Sequence, residues 1–275
     1  MRILKLITLT IILISLISCA SPLDNSNNQP KVDTNPYNIN SIHLSLGVPF
    51  DSDTTDDYLI VRSQYVLSYN KDLNIPNWVS WELHSDWFGD VDRYTGNFIT
   101  DTTLPIAFYR VTHSDYTNSG YDRGHLVRSE ERTKTIEDNK STFILTNIIP
   151  QTPDLNRGVW LNLEYYCEDL CKKYNKLLYV IAGGINRTKN TISNKIVIPD
   201  SCFKIVVVLE KGQSLLDINE NTPVIAVVMP NVEGVRSDRW EKYRTSVRAI
   251  ENSTGYNFLD KLPENIQNII EYKVY

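Results

Sequence analysis

Apolar and polar positions fall along this chain in runs that predict a mixed α+β domain. Residues 58–69 (Tyr-Leu-Ile-Val-Arg-Ser-Gln-Tyr-Val-Leu-Ser-Tyr) and 77–84 (Asn-Trp-Val-Ser-Trp-Glu-Leu-His) are rich in β-branched and aromatic side chains and read as strands. Residues 142–149 read as a buried strand stopped by Pro150, and short apolar runs at 177–182, 196–199, 203–209 and 223–229, each bounded by turn residues, add four more. From Leu155 to Lys173 the apolar positions Leu155, Val159, Trp160, Leu163, Cys167 and Leu170 recur at helical spacing, with Asp154 placed to cap them. Residues 237–251 and 263–273 read as helices, residues 86–121 as loop, and no internal repeat is present.

The N-terminus breaks this pattern. Arg2 and Lys5 precede an uncharged apolar run over residues 6–18, too short for a transmembrane helix of ~20 residues and arranged like an export signal. It ends Leu16-Ile17-Ser18-Cys19, which resembles a bacterial lipobox whose Cys19 is lipidated; ordinary cleavage after Ala20 is the other reading. Residues 1–19 are therefore expected to be a signal, the Ser-, Asn-, Pro- and Asp-rich residues 20–40 a flexible tether, and 41–275 the globular domain. The expected location is outside the cytoplasm, as a membrane-anchored lipoprotein (periplasmic or surface) or a secreted protein.

Composition changes this picture little. Of 275 residues, 41% are apolar and 22% charged, which excludes a collagen-like or largely disordered chain and leaves ample material for a core. The net charge of −5 argues against a protein that coats nucleic acid by bulk charge. Removal of Arg2 and Lys5 with the signal takes it to −7. Cys167, Cys171 and Cys202 remain after processing, and an exported context leaves both a disulfide and free buried thiols open. No Cys-x-x-Cys pair points to structural zinc.

No phosphate-cradling Gly-rich loop, Gly-x-Ser-x-Gly elbow or His-Glu-x-x-His occurs, so an organic nucleotide cofactor is not expected. The informative region is 119–164, with Gly120-Tyr121-Asp122-Arg123-Gly124-His125, then Asn147-Ile148-Ile149-Pro150-Gln151, then Leu155-Asn156-Arg157 and Leu163-Glu164. Arg offers a planar cationic fork for phosphate oxygens, His a base near neutral pH, and Asn a hard oxygen for Mg²⁺. Eight residues of regular helix would leave Asn156 and Glu164 about 80° apart around the axis, so that both could border one cleft. Taken singly, His125 reads more simply as a hydrogen-bonded loop histidine, Asn156 as a cap and Glu164 as a solvated helix residue.

Together, these three segments resemble the DNA/RNA non-specific endonuclease family, the ββα-metal nucleases with an Asp-Arg-Gly-His motif, and among them most the exported, sugar-non-specific nucleases of cyanobacteria. The resemblance runs over about residues 40–275 and takes in residues 65–70, Arg132-Thr133-Lys134-Thr135, the Lys204–Leu209 strand and Tyr256-Asn257-Phe258-Leu259. It implies an α+β fold, with a mixed, mainly antiparallel sheet core and helices, containing a ββα-metal motif. It implies that His125 is the general base, Asn156 the direct protein ligand of Mg²⁺ or Mn²⁺, and Glu164 the carboxylate that holds metal-bound water. Arg93 matches the arginine that stabilises the transition state, Arg123 the motif arginine and Asn147 a supporting asparagine; Arg128 and Arg157 are expected to bind substrate. Asp122 fills the motif aspartate, with a structural role.

The implied reaction is attack by water on a phosphodiester of DNA or RNA, leaving 5′-phosphate ends. Expected partners are these substrates, the membrane through a lipidated Cys19, and a protein inhibitor. Two departures stand out. Arg128 replaces the usual proline, and Glu168 stands where the family often places an arginine one turn after the carboxylate, which is expected to weaken phosphate binding. The alternative this raises is a nuclease-like lipoprotein that binds nucleic acid or another partner with weak or no turnover. Arg93, Arg123, Arg128, Arg132, Lys134 and Arg157 nevertheless gather around the motif, enough for a local basic cleft in an acidic protein.

Overall fold

In the computed structural model, which describes residues 39–275, the strand-forming runs pair into one large antiparallel sheet and two small two-stranded sheets. The export signal, Cys19 and the tether up to residue 38 lie outside the described residues. In chain order the strands are β1 (Tyr58–Val61), β2 (Val66–Asn70), β3 (Ile75–Leu83), β4 (Asp122–His125), β5 (Ile148–Gln151), β6 (Lys176–Ile185), β7 (Thr191–Ile192), β8 (Ile196–Val197), β9 (Ser201–Glu210), β10 (Val224–Pro230) and β11 (Arg244–Thr245). The helices are α1 (Ile136–Ser141), α2 (Trp160–Lys172), α3 (Val247–Thr254) and α4 (Glu264–Ile270). No helix among the described residues is long and apolar enough to cross a membrane.

The large sheet runs β1-β2-β3-β6-β9-β10-β11, with every ladder antiparallel. Its central strands are covered on both faces, and the period of two sorts their side chains. In β9, Cys202, Val206 and Val208 join one apolar core with α2 and the β4–β5 pair; Phe203, Ile205, Val207 and Leu209 join the other with α3 and α4. In β6, Leu178, Val180 and Ala182 face the first core, and Leu177, Tyr179 and Ile181 the second. The α+β class and the mainly antiparallel sheet hold; among the described residues the one parallel contact is the isolated bridge Ile99–Ile144.

Local readings needed correction where the sequence lacks punctuation. Residues 58–69 are a hairpin and not one strand: the chain reverses through Arg62–Tyr65 without Gly, Pro or Asn, closed by the Arg62 N–H bonding Tyr65 O at 2.9 Å. Pro150 does not stop a strand but lies within β5. It is tolerated because β5 pairs on one side only, with β4, so a residue lacking an N–H sits on an edge strand. Residues 237–251 are not one helix: a 3₁₀ turn at Trp240–Tyr243 and β11 precede α3, which Ser246 caps from its side chain to Ala249 N. Asp154 does not cap the helix after it, since its carboxylate accepts from Gly234 N at 2.7 Å, and Thr152 Oγ1 accepts from Leu155 N instead. All three cysteines in the described residues are buried free thiols.

Candidate active site

The motif residues of the segment 119–164 sit on a strand–strand–helix unit made of β4, β5 and α2. In β4, Asp122 pairs with Gln151, Arg123 with Pro150, Gly124 with Ile149 and His125 with Ile148. Gly124 is required by close approach, because a Cβ there would stand 2.1 Å from Oε1 of the buried Gln151. After β5 the chain enters a wide, π-type turn over Leu155–Val159 before the regular helix α2 begins at Trp160. Gly158 leaves helical geometry there, and a Cβ on it would meet the Arg236 backbone at 2.6 Å. The regular helical angle expected between Asn156 and Glu164 therefore does not apply: a wide turn, and not two turns of α-helix, sets their relation.

His125 packs against Phe98 and edge-on against Phe143, at 5.2 and 4.9 Å between ring centroids. Its Nε2 is buried and has no hydrogen-bond partner among the described residues. Burial, and after it the nearby Arg93 charge, push its pKa down to about 3, so the ring is neutral. Arg93 lies 4.9 Å over the far partner of that ring, Phe143, and donates to Ser129 Oγ and, at 2.8 Å, to Glu130. Arg123 stacks on Phe98 and Tyr116 and donates to His113 O at 2.7 Å. Asn147 is fully buried; its amide bonds Val127 N, Val127 O and Thr142 O, so it fixes the backbone just after His125 and its side chain is closed to any ligand.

Asp122 organises a second cluster. It accepts two bonds from the Arg157 fork, at 2.7 and 2.5 Å, and one from Asn156 Nδ2 at 2.9 Å. A carboxylate accepts only, so this bond settles which end of the Asn156 amide is the nitrogen. Oδ1 is left without a donor among the described residues. One neutral oxygen, held in place and not enclosed by other ligands, fits a hard cation that keeps most of its water, as Mg²⁺ and Mn²⁺ do. A polar groove of about 490 Å³ runs alongside, lined by Asp122, Arg123, Arg157 and His113 among others.

Glu164 belongs to neither the solvent nor the apolar core it faces. The buried stripe of α2 reads Trp160, Leu163, Glu164, Cys167, Leu170 and Cys171, so the carboxylate occupies a core position. Burial raises its pKa to about 7, against the pull of Lys204 and then Arg128. Arg128 is itself buried, with its guanidinium 3.2 Å from Glu130, 2.7 Å from Glu168 and 3.7 Å from Glu164. Glu168 also takes Lys172 at 3.0 Å. The acidic residue at 168 thus pairs with the arginine at 128: the two departures are partners.

The local basic cleft is smaller than a count of its cations. Arg132 is fully buried, donating to the carbonyls of Gln64, Glu82 and Glu131 and lying 4.1 Å over Trp87. Arg157 and Arg93 stay about half exposed, each against a carboxylate. The pattern along the sequence gives no notice of Glu130, which links Arg93 to Arg128, nor of Glu131 beside Lys204 and Glu164. Lys204 had a signal: a single cation inside the apolar run 202–209.

Known proteins resemble this chain in sequence and in fold. The sequence pattern of a family described as DNA/RNA non-specific endonuclease matches residues 47–265. A protein named "Nuclease" from Nostoc sp. is 47% identical over 239 residues, covering 85% of this chain and 86% of that protein. "Endonuclease G, mitochondrial" from Homo sapiens is 29% identical over 214 residues, 73% of this chain and 69% of its own. A solved structure described as "Crystal structure of the EndoG/EndoGI complex: Mechanism of EndoG inhibition" superposes with a TM-score of 0.68 at 26% identity, covering 82% of this chain and 92% of that one.

Proposed function

The chain belongs to the DNA/RNA non-specific endonuclease family, and on that premise we propose that it is an exported, metal-dependent enzyme that hydrolyses both nucleic acids to 5′-phosphate products with His125 as general base. One observation carries the reading: β4 holds, three residues apart, a neutral histidine with an open buried Nε2 and the aspartate that turns Asn156 Oδ1 outward.

The residues divide the work as follows. A divalent cation held at Asn156, Mg²⁺ or Mn²⁺, would supply Lewis-acid stabilisation of charge on the phosphate and the leaving 3′-oxygen. His125 takes the proton of the attacking water. Its pKa is low in the free protein, and the negative charge of a bound phosphodiester favours the imidazolium and brings its basicity toward neutrality. Arg93, half exposed beside the ring, stabilises the charge that develops on phosphate oxygens. Glu164 orients water from the buried side. Arg123 and Asn147 hold the strand and the backbone after it. Arg157 faces the groove while bound to Asp122. Arg128, enclosed by three carboxylates, acts on substrate through Glu164 and not by direct contact. Because water attacks, and not a 2′-hydroxyl, DNA and RNA are both substrates.

Export and membrane attachment through Cys19 rest on the signal-like residues 1–19. A protein inhibitor is proposed as a partner because a related structure was solved as an inhibitor complex. Incubation of the protein with plasmid DNA and with RNA, in Mg²⁺, in Mn²⁺ and in EDTA, tests the reading: both substrates are expected to disappear only with metal, leaving 5′-phosphate ends. A second reading, binding with little turnover, is favoured by the pairing of Arg93, Arg128 and Arg157 with carboxylates. Retained DNA binding without cleavage in either metal would establish it.

The Arg128–Glu168 pair gives a further expectation. Glu168→Arg would restore the residue common in the family, yet place a second guanidinium against Arg128. It is expected to lower stability by about 2 kcal/mol, the scale of a charged hydrogen bond lost in a half-buried place, and to bring no gain in activity. Urea unfolding and initial rates on DNA measure both; a faster, equally stable variant would contradict this account of the pair.

A further inference from the structure

Two charges break the apolar pattern of the elements that carry them, and they break it toward each other. In β9 the residues on the α2 side are Cys202, Lys204, Val206 and Val208, where the period of two calls for four apolar side chains. Lys204 is 1% exposed and sits in the middle of the sheet, opposite Ala182 of β6 and Val227 of β10. In α2, Glu164 occupies the matching core-facing position. The Lys204 ammonium lies 3.7 Å from Glu164 Oε1, 4.2 Å from the centroid of the Trp160 ring and 5.7 Å from that of Trp81. Trp81 Nε1 in turn donates to the buried Glu131 at 2.9 Å.

A buried ammonium costs folding free energy that an apolar side chain would not. The sheet gives no reason for it: its neighbours on that face are apolar, and both flanking strands pair through backbone. What the cation does is confront Oε1 of Glu164 from below while Arg128 confronts Oε2 from the side. We infer that Lys204 is a positioning residue of the active site, fixing the rotamer and the charge of the Glu164 carboxylate so that it can orient water at the metal. Among the charges around Glu164, Lys204 is the strongest opponent of the effect of burial. The two aromatic faces hold the ammonium so that it cannot swing away with solvent. The inference rests on the proposed role of Glu164.

The test uses the full chain and four variants: Lys204→Met, Lys204→Arg, Glu164→Gln and the double variant Lys204→Met/Glu164→Gln. Kinetics on DNA over a Mg²⁺ titration are read beside thermal unfolding. Lys204→Met is expected to lower kcat by about 10- to 100-fold, the range for outer partners of a metal site, to raise the Mg²⁺ needed for half-maximal rate, and to leave KM for DNA close to wild type. Lys204→Arg is expected to recover much of the loss. In the Glu164→Gln background, Lys204→Met is expected to change kcat no further, because the group it acts through is gone. A purely structural lysine would shift the melting temperature alike in both backgrounds and would not respond to Mg²⁺. Should Lys204→Met fail to fold, the double variant, which removes both buried charges, and Lys204→Arg still decide the matter. An unchanged kcat in Lys204→Met, or equal kcat losses with and without Glu164, would overturn the inference. Failure of the family reading is distinguished from this by wild type itself, which would then not cleave DNA with metal.

Discussion

His125→Ala is expected to lose about a thousandfold in kcat on DNA and on RNA, the middle of the range for a lost general base, with metal affinity unchanged. The argument is geometric before it is electrostatic. The ring is clamped between Phe98 and Phe143, and its Nε2 has no partner to give up before it accepts a proton. The same burial makes a second, independent signature. The folded pKa is pushed down to about 3, below the ordinary value of 6.5 that the unfolded chain retains. Between those values the unfolded state binds a proton that the folded state refuses, so His125 costs stability increasingly as pH falls below about 6.5 and costs nothing above it. The alanine variant should therefore lose less stability than wild type between pH 7 and pH 5, as melting temperatures would show. Equal acid sensitivity in the two proteins would mean that the histidine is not buried as described. Loss of activity without loss of metal binding separates a missing base from a missing ligand.

The sequence disclosed what lies close along the chain and conceals what meets across it. His125, Asn156 and Glu164 lie within one stretch of the chain because β4, β5 and α2 follow one another in sequence, with α1 in the connection between β4 and β5, so spacing alone suggests a shared cleft. That spacing presupposes a regular helix from residue 155, whereas a wide turn with an irregular Gly158 intervenes, and nothing in Leu-Asn-Arg-Gly-Val announces it beyond the glycine itself. Glu164 read as solvated because a charge on a helix usually is. Only the position of the sheet shows that it points at the core, and only β9, some forty residues on, explains how it is tolerated there.

Six cations near the motif suggest a basic cleft, but position decides whether a cation can meet phosphate. Arg132 ties the turn between β1 and β2, at Gln64, and β3, at Glu82, to the segment after β4 through backbone carbonyls, and Arg128 is surrounded by Glu130, Glu164 and Glu168. The hairpin at 58–70 illustrates the limit on the side of the fold: a turn made of Arg, Ser and Gln carries no residue that demands a turn, and its reversal is set by tertiary packing of Tyr65, whose hydroxyl donates to Ser141 O. Cores and periodic faces were legible; buried charges that compensate one another across elements were not, because each partner looks like an error until the other is placed beside it.

Asn156→Ala should bring the other large loss, and it should differ in kind from that of His125→Ala. If Asn156 Oδ1 is the protein's hold on the cation, its removal takes away several kcal/mol of transition-state stabilisation, on the order of a thousandfold in rate, and part of this should return at high Mn²⁺ or Mg²⁺. The loss in His125→Ala should not return at any metal concentration. Asp122→Ala gives the graded control. Asp122 holds Asn156 Nδ2 at 2.9 Å and the Arg157 fork at 2.5 and 2.7 Å, and makes no hydrogen bond to the His125 side chain. Without it the amide is free to rotate and present nitrogen or oxygen, and Arg157 is released toward the groove. A smaller decrease of about 10- to 100-fold is expected, accompanied by a higher metal requirement and tighter DNA binding through the freed arginine. Isothermal titration with Mn²⁺, read beside DNA-binding assays in EDTA, separates the two consequences. If Asn156→Ala binds Mn²⁺ as well as wild type, the cation is held elsewhere, and the outward amide has some other purpose. If Asp122→Ala loses as much as Asn156→Ala with no change in DNA affinity, then Asp122 itself is a ligand and its pairing with Arg157 must open when metal enters.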